Sequence, residues 1–195
     1  MSELEKMLKG ELYDSSDPLL VSLRTKCHKL CQEYNLTPDI DKNKREALLK
    51  EMGLKMGKNV YLQGPIYLDY GCHISIGDNT YANFNLTILD TCRVTIGNNV
   101  FIGPGVNILT PLHPMKYKER NIYQNEDGSF HDQEYGAPIT IKDNCWIASN
   151  VSILPGVTIG EGSVIGAGSV VTKDIPPNSF AAGNPCRVIK EIDNK

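Results

Sequence analysis

The chain has 195 residues, 41% of them apolar, and a formal net charge of −3, enough for one sizeable core in a single domain. A small acidic excess without any cluster of Lys and Arg excludes nucleic acid as a partner, because neutralising phosphates needs grouped cations. No run approaches the roughly 18 consecutive apolar residues of a membrane span, and the charged stretch Met1 to Glu11 does not read as a signal peptide, so a cytoplasmic protein with no membrane partner is expected.

The first element read in chain order is a helix opening at Ser16-Asp17-Pro18, where a capping side chain precedes a proline suited to the first turn. Leu20, Leu23, Cys27, Leu30, Cys31 and Tyr34 recur at three- and four-residue spacing and form one apolar stripe. Thr37-Pro38 restarts the pattern, and a second helix carries Ala47, Leu48 and Met52 and stops near Gly53. The charged residues between these stripes read as solvated helix surface. Residues 1–56 are therefore expected to form an N-terminal helical cap.

From about residue 57 charge thins out and a six-residue period appears. Ile141, Ile147, Ile153, Ile159, Ile165 and Val171 fall six apart without interruption, often followed by Gly or another small residue. An earlier run reads Ile76, Ala82, Ile88 and Val94, and a two-residue slip then starts Ile96, Ile102 and Ile108. Such a period marks a parallel β-helix, in which equivalent strands stack and the repeated aliphatic position points inward. β-Branched residues suit the buried strands, and Gly or Asn suits the tight corners. A β-sandwich would lack the fixed register. The expected fold is mainly β, a left-handed parallel β-helix over residues 57–190 with a C-terminal tail, interrupted by an excursion loop at 110–138 that is polar and off the repeat.

The six cysteines, Cys27, Cys31, Cys72, Cys92, Cys145 and Cys186, include no CxxC pair and read as buried thiols. Of the histidines, His28 reads as helix surface, and His73 and His131 have no supporting constellation, with His131 expected to be solvated in the loop. His113 differs: it sits at the base of the excursion, between Leu112 and Pro114, where a long loop from a compact domain is usually functional.

Several segments resemble the galactoside and maltose O-acetyltransferases of the hexapeptide-repeat acyltransferases over nearly the whole chain. They are Tyr81-Ala82-Asn83-Phe84-Asn85, Thr110-Pro111-Leu112-His113-Pro114, Asn144-Cys145-Trp146-Ile147 and the tail Ala181 to Ile189. Gly10-Glu11-Leu12-Tyr13 followed by two helices resembles their cap. The resemblance implies an acetyl-CoA-dependent transfer to a sugar hydroxyl, with His113 as general base and Asn83 beside the reacting groups. Imidazole ordinarily titrates near about 6.5, which suits proton transfer near neutrality. The plainer reading of Asn83 is a corner residue bonding its own backbone.

By the same resemblance, acetyl-CoA is held by Ser149, Ala167, Thr172, Lys173, Arg187, Lys190 and Trp146, with the Ser149 backbone N–H serving the oxyanion. Lys173 and Arg187 would meet phosphates, and their plainer reading is solvated charge. Acceptor contacts fall to Tyr81, Asp90 and Asp69, and to Asp14 or Asp17 in the cap. This chain departs from the galactoside pattern at Thr91 and Ser15, which leaves a galactoside, a maltose or glucose unit, or another small hydroxylated compound open. A homotrimer with active sites between subunits is implied, and no metal. The alternatives are a xenobiotic or serine acetyltransferase, a non-catalytic β-helix scaffold, and a γ-type carbonic anhydrase, which would need a closely spaced histidine pair that the sequence lacks.

Overall fold

The computed structural model describes residues 1–194. The aliphatic repeat folds as a parallel β-helix, with three parallel ladders of short strands enclosing one continuous core. Ile141 pairs with Ile159, Ile147 with Ile165 and Ile153 with Val171, so each residue stacks on the one three hexapeptides ahead. All six side chains of this run are fully buried, each contributing about 1.5–3 kcal/mol against exposure. An outward residue lies between successive inward ones, which produces the alternation in strands such as Ile66–Leu68, Ile74–Ile76, Val94–Ile96 and Ile139–Ile141.

The coils turn at corners that require a left-handed backbone. Asn85, Gly105, Asn150 and Gly168 occupy one corner in successive coils, with φ of 60°, 72°, 57° and 71°. Asn tolerates this region and Gly has no Cβ to oppose it. At a second corner, Asn59, Asn79, Asn99 and Asn144 form a column in which each side-chain amide donates to the next side chain's oxygen. The last of them, Asn144, passes the bond to Glu161 at 3.1 Å.

The third corner is where the sequence slips. Strand Ile66–Leu68 reaches strand Ile74–Ile76 through Asp69-Tyr70-Gly71-Cys72-His73, and strand Leu86–Leu89 reaches Val94–Ile96 through Asp90-Thr91-Cys92-Arg93. Both crossings are two residues longer than the hexapeptide allows, and the 110–138 excursion leaves the next coil at this same corner. The slip is thus a wall built on one edge of the β-helix.

Against that wall sit the helices. Helix α1 (Glu3–Lys9) opens with a capping box between Ser2 and Glu5, α2 (Pro18–Leu36) is capped by Asp17, and α3 (Lys42–Glu51) follows. The apolar stripe of α2 is buried at Leu20, Cys27, Leu30, Cys31 and Tyr34 and half-buried at Leu23. The expectation of a wholly solvated charged face fails at Arg45 of α3, which is buried. Its guanidinium donates to the carbonyls of Leu62 and Gln63, contacts Asp39, and lies 4.4 Å from the Tyr34 ring centroid. A buried cation is tolerated because these acceptors and the ring replace water.

The excursion is folded. It contains strand Pro111–Leu112, helix α4 (Tyr117–Arg120), a hairpin of Tyr123–Gln124 with Phe130–His131, and strand Gln133–Gly136. That last strand is the centre of a small antiparallel sheet, with Pro111–Leu112 on one side and Tyr13–Asp14 of the cap on the other.

Candidate active site

The small antiparallel sheet determines what surrounds His113. Strand Pro111–Leu112 delivers the imidazole exposed to solvent, while the following Pro114 is buried and fixes the exit of the chain. Facing it, Glu134 projects from the returning strand and Asp132 from just before it. One donor atom each from His113, Asp132 and Glu134 lie within 4.8 Å of one another. Among the described residues this is the one such set, an imidazole and two carboxylates, and its donor types also match those of a divalent cation. Both carboxylates are oriented from the cap: the Ser15 hydroxyl donates to Asp132 at 2.5 Å and the Tyr13 hydroxyl to Glu134 at 2.7 Å. Burial pushes the Tyr13 hydroxyl pKa far up, reinforced by Glu134, so it stays protonated and can donate.

Arg24 of α2 completes this side. It donates to the Tyr70 hydroxyl at 3.0 Å and reaches the Ser15 carbonyl at 3.4 Å, and the charges of Asp69 and Glu134 both favour its cationic form. Burial raises the Tyr70 pKa to about 12 against the opposing pull of Arg24. Asp69 is half-buried; burial raises its carboxyl pKa, Asp90 adds to this, and His28, 3.4 Å away, works against it.

The expected acceptor residues divide. Asp14 lies on the cap strand beside the excursion, where its carboxylate accepts from the Ser16 N–H and hydroxyl and contacts His131. Burial works against its charge, but these donors outweigh it and hold its pKa below the ordinary value. His131, expected to be solvated, is instead half-buried and tied to Asp14, Ser16 and Ser129. Asp17 is occupied as the α2 cap, accepting from the Leu19 and Leu20 N–H groups. Asp90 requires a correction: it is 0% exposed. Its oxygens accept the Tyr70 and His73 N–H groups at 2.8 and 3.2 Å, and His73 Nδ1 donates to its carbonyl at 2.7 Å. It shapes the corner from behind, and burial raises its carboxyl pKa.

A second group of expected residues lies on a different edge. Tyr81 is outward-facing in a column that runs by register through Tyr61, Tyr81, Phe101, Trp146 and Val164. Phe101 and Trp146 are 56% and 54% exposed. Just past this column, at the Asn85–Gly168 corner, Asn83 accepts the Phe84 N–H at 2.7 Å on its side-chain oxygen, which leaves its amide N–H groups free. Ser149 and Ala167 stack in successive coils there, linked by the Gly168 N–H donating to the Ser149 carbonyl at 2.9 Å. Arg187 and Lys190 are exposed on the antiparallel tail pairing Ala182 and Phe180. Thr172 and Lys173, also exposed, stand instead at the wall corner, beyond strand Val170–Val171.

Within one chain, then, His113, Asp14 and Asp69 occupy one edge of the β-helix, and Asn83, Ser149, Trp146 and Ala167 the next. The two edges are separated by the extended run from Asn150 to Leu154, roughly 15 Å at a strand's rise per residue.

Comparison with known proteins fits both halves. Residues 6–52 match the maltose acetyltransferase hexapeptide capping motif, and residues 138–173 match the bacterial transferase hexapeptide of six repeats. The galactoside O-acetyltransferase of Escherichia coli K12 is 46% identical over 195 residues, covering 100% of this chain and 92% of its own. The chain belongs to the maltose and galactoside O-acetyltransferase family. A putative acetyltransferase of Saccharomyces cerevisiae is also 46% identical, over 100% of this chain and 95% of its own. Among solved structures, a maltose O-acetyltransferase from Clostridium difficile 630 superposes with a TM-score of 0.92 at 46% identity, covering 100% of this chain and 99% of that one. A galactoside acetyltransferase in complex with coenzyme A gives 0.88 at 45% identity, over 100% and 92%.

The residues that sequence reasoning missed are Asp132, Glu134 and Arg24. Period-six reading stops at Thr110, so nothing in the sequence placed the returning strand against His113.

Proposed function

We propose that this chain transfers the acetyl group of acetyl-CoA to a hydroxyl of a sugar by direct attack, with His113 as general base. The observation that carries this reading is an exposed imidazole held at a folded excursion and faced by carboxylates that the cap orients. His113 takes the proton from the acceptor hydroxyl as that oxygen bonds to the thioester carbonyl carbon. The tetrahedral intermediate then collapses, the C–S bond breaks, and the CoA thiolate recovers the proton from the imidazolium. The Ser149 N–H, which has no acceptor among the described residues, would serve the oxyanion, and the amide N–H groups of Asn83, which likewise have no acceptor among them, would orient the reacting groups.

Asp14, Asp69 and Tyr81 would hold acceptor hydroxyls. Ala167 leaves room for the pantetheine arm along the corner, Trp146 walls it, and Thr172, Lys173, Arg187 and Lys190 would receive the phosphate end. Asp90 is not assigned to the acceptor, because it is fully buried with both oxygens accepting backbone N–H groups, nor is Asp17, whose Oδ1 caps α2.

The separation of the two edges argues for a homotrimer. Direct transfer requires the base and the oxyanion donor to flank one carbonyl, and roughly 15 Å of strand face keeps them apart in a single chain. A neighbouring copy that covers the exposed Phe101–Trp146 column brings one edge against the other, and closed rotational symmetry makes the contact once per subunit. Six unpaired thiols and the supply of acetyl-CoA fit a cytoplasmic setting. No helix of the described residues is long and apolar enough to cross a membrane.

The test is CoA release from acetyl-CoA across galactosides, maltose, glucose and chloramphenicol, for wild type and His113→Ala. The variant is expected to lose about 10²- to 10⁴-fold in kcat while still binding acetyl-CoA. Unchanged turnover would remove His113 from its role, and release with chloramphenicol alone would move the enzyme to the xenobiotic branch.

A further inference from the structure

Between α2 and the first coils of the β-helix lies a cavity of about 360 Å³, within the range of small-molecule pockets, about 300–1,000 Å³. Leu68, Leu89 and the ring of Tyr67, which is 51% exposed, form its apolar side, and His28, Gln32 and Asp69 bring polar groups. An aromatic face beside hydrogen-bonding side chains is what a pyranose ring requires, with C–H groups over the ring and hydroxyls to the polar atoms. The cavity is also placed along the path of the reaction. Asp69 donates its N–H to the Ile88 carbonyl, and Leu89 pairs with Leu109 in the next coil. Asp69, Leu89 and Leu109 are therefore stacked neighbours, and the excursion that carries His113 starts immediately after Leu109. Two coil spacings separate the Asp69 end from that coil, about 10 Å.

We infer that this cavity is a second sugar subsite, taking the distal ring of a disaccharide acceptor while the ring to be acetylated lies at His113. The inference rests on the sugar acetyltransferase reading above and specifies its substrate class. A single ring at His113 leaves the cavity empty; a linked second ring reaches past Asp69 into it, with one face against Tyr67.

The experiment compares kcat/KM on matched pairs, glucose with maltose and galactose with lactose, for wild type, Tyr67→Ala and Gln32→Trp. Both variants change exposed side chains, and melting temperatures confirm folding; the second fills the cavity rather than emptying it. In wild type the disaccharide of the accepted pair is expected to exceed its monosaccharide at least tenfold, and both variants should bring that ratio close to one. A wild-type ratio near one, or a ratio that neither variant changes while the monosaccharide is still acetylated, overturns the subsite and leaves the enzyme reading standing. Preference for an aryl glycoside over the disaccharide, lost in the same variants, overturns the sugar occupant in favour of an aromatic aglycone. No turnover of any member of either pair would strike the sugar acetyltransferase reading itself, and this inference with it.

Discussion

The Tyr13 hydroxyl donates to the Glu134 carboxylate at 2.7 Å, and through that bond the cap sets the position of a charge within 4.8 Å of His113. Tyr13 is 1% exposed, so a phenylalanine keeps its packing and removes the hydroxyl, which donates to Glu134 and faces the Thr91 hydroxyl. Tyr13→Phe is expected to cost about 1–2 kcal/mol of stability. If Glu134 steadies the imidazole, loss of about 1.4 kcal/mol of that orientation lowers kcat about tenfold. Steady-state kinetics beside a denaturation curve check both. A variant less stable but equally active would reduce the pair to a structural tie.

Asp90 supports the wall from within, and its removal strands donors rather than a ligand. Asp90→Ala leaves the Tyr70 and His73 N–H groups without acceptors in a corner that water does not reach, at about 1–3 kcal/mol each. Asp90→Asn should cost less, because its oxygen still accepts one of them while its NH₂ confronts the other. Chemical denaturation of both variants is the measurement. Equal stability of Asp90→Ala and wild type would contradict the assignment of Asp90 to structure.

The core was readable because a period of six imposes itself on every coil: Ile141 through Val171 need no information beyond their own spacing. The same regularity concealed the site. The slip after Val94 reads only as a two-residue offset between runs, whereas Tyr70-Gly71 and Asp90-Thr91 lengthen one corner in successive coils and build the wall that the helices pack against. His113 stands out by its place at the base of the excursion, but Glu134 and Asp132 reach it through the pairing of Glu134 with Tyr13 and the bonds of Asp132 to Ser15, long-range contacts that no local pattern records. Helix α1 was missed because its charges dominate a short segment, although Ser2 and Glu5 spell a capping box. Arg45 misled for the opposite reason: a cation on a helix reads as surface until the carbonyls of Leu62 and Gln63 arrive from the first coil.

Lys173 and Arg187 are exposed cations at different corners, and their proposed role makes a prediction about charge rather than chemistry. Charge-assisted bonds to phosphate are worth about 1.5–3 kcal/mol, so Lys173→Ala and Arg187→Ala should each raise the KM for acetyl-CoA about tenfold or more and leave kcat largely intact. Raising ionic strength should weaken acetyl-CoA binding in wild type and do so less in either variant. Isothermal titration with CoA at two salt concentrations reads this directly, and a variant that binds as wild type does at both would return that residue to solvated surface.

Asp14, Ser16 and His131 tie the cap to the hairpin of the excursion, and the depressed pKa of Asp14 fixes the pH range in which that tie weakens. A carboxyl whose folded pKa lies below its unfolded value stabilises the folded state above the unfolded pKa and loses that contribution as pH falls through the folded one. The tie is therefore intact at neutral pH and is expected to weaken only below about pH 4, the ordinary aspartate range. Hydrogen exchange at residues 123–131 should then rise on acidification while the β-helix core stays protected. In Asp14→Asn the carboxylate is gone at every pH, so exchange in that hairpin should be elevated already at pH 7 and lack the acid step. An acid step of wild-type size in Asp14→Asn would assign the loosening to other groups of the hairpin, with Asp127, whose pKa the Ser129 bonds also hold down, next to be tested.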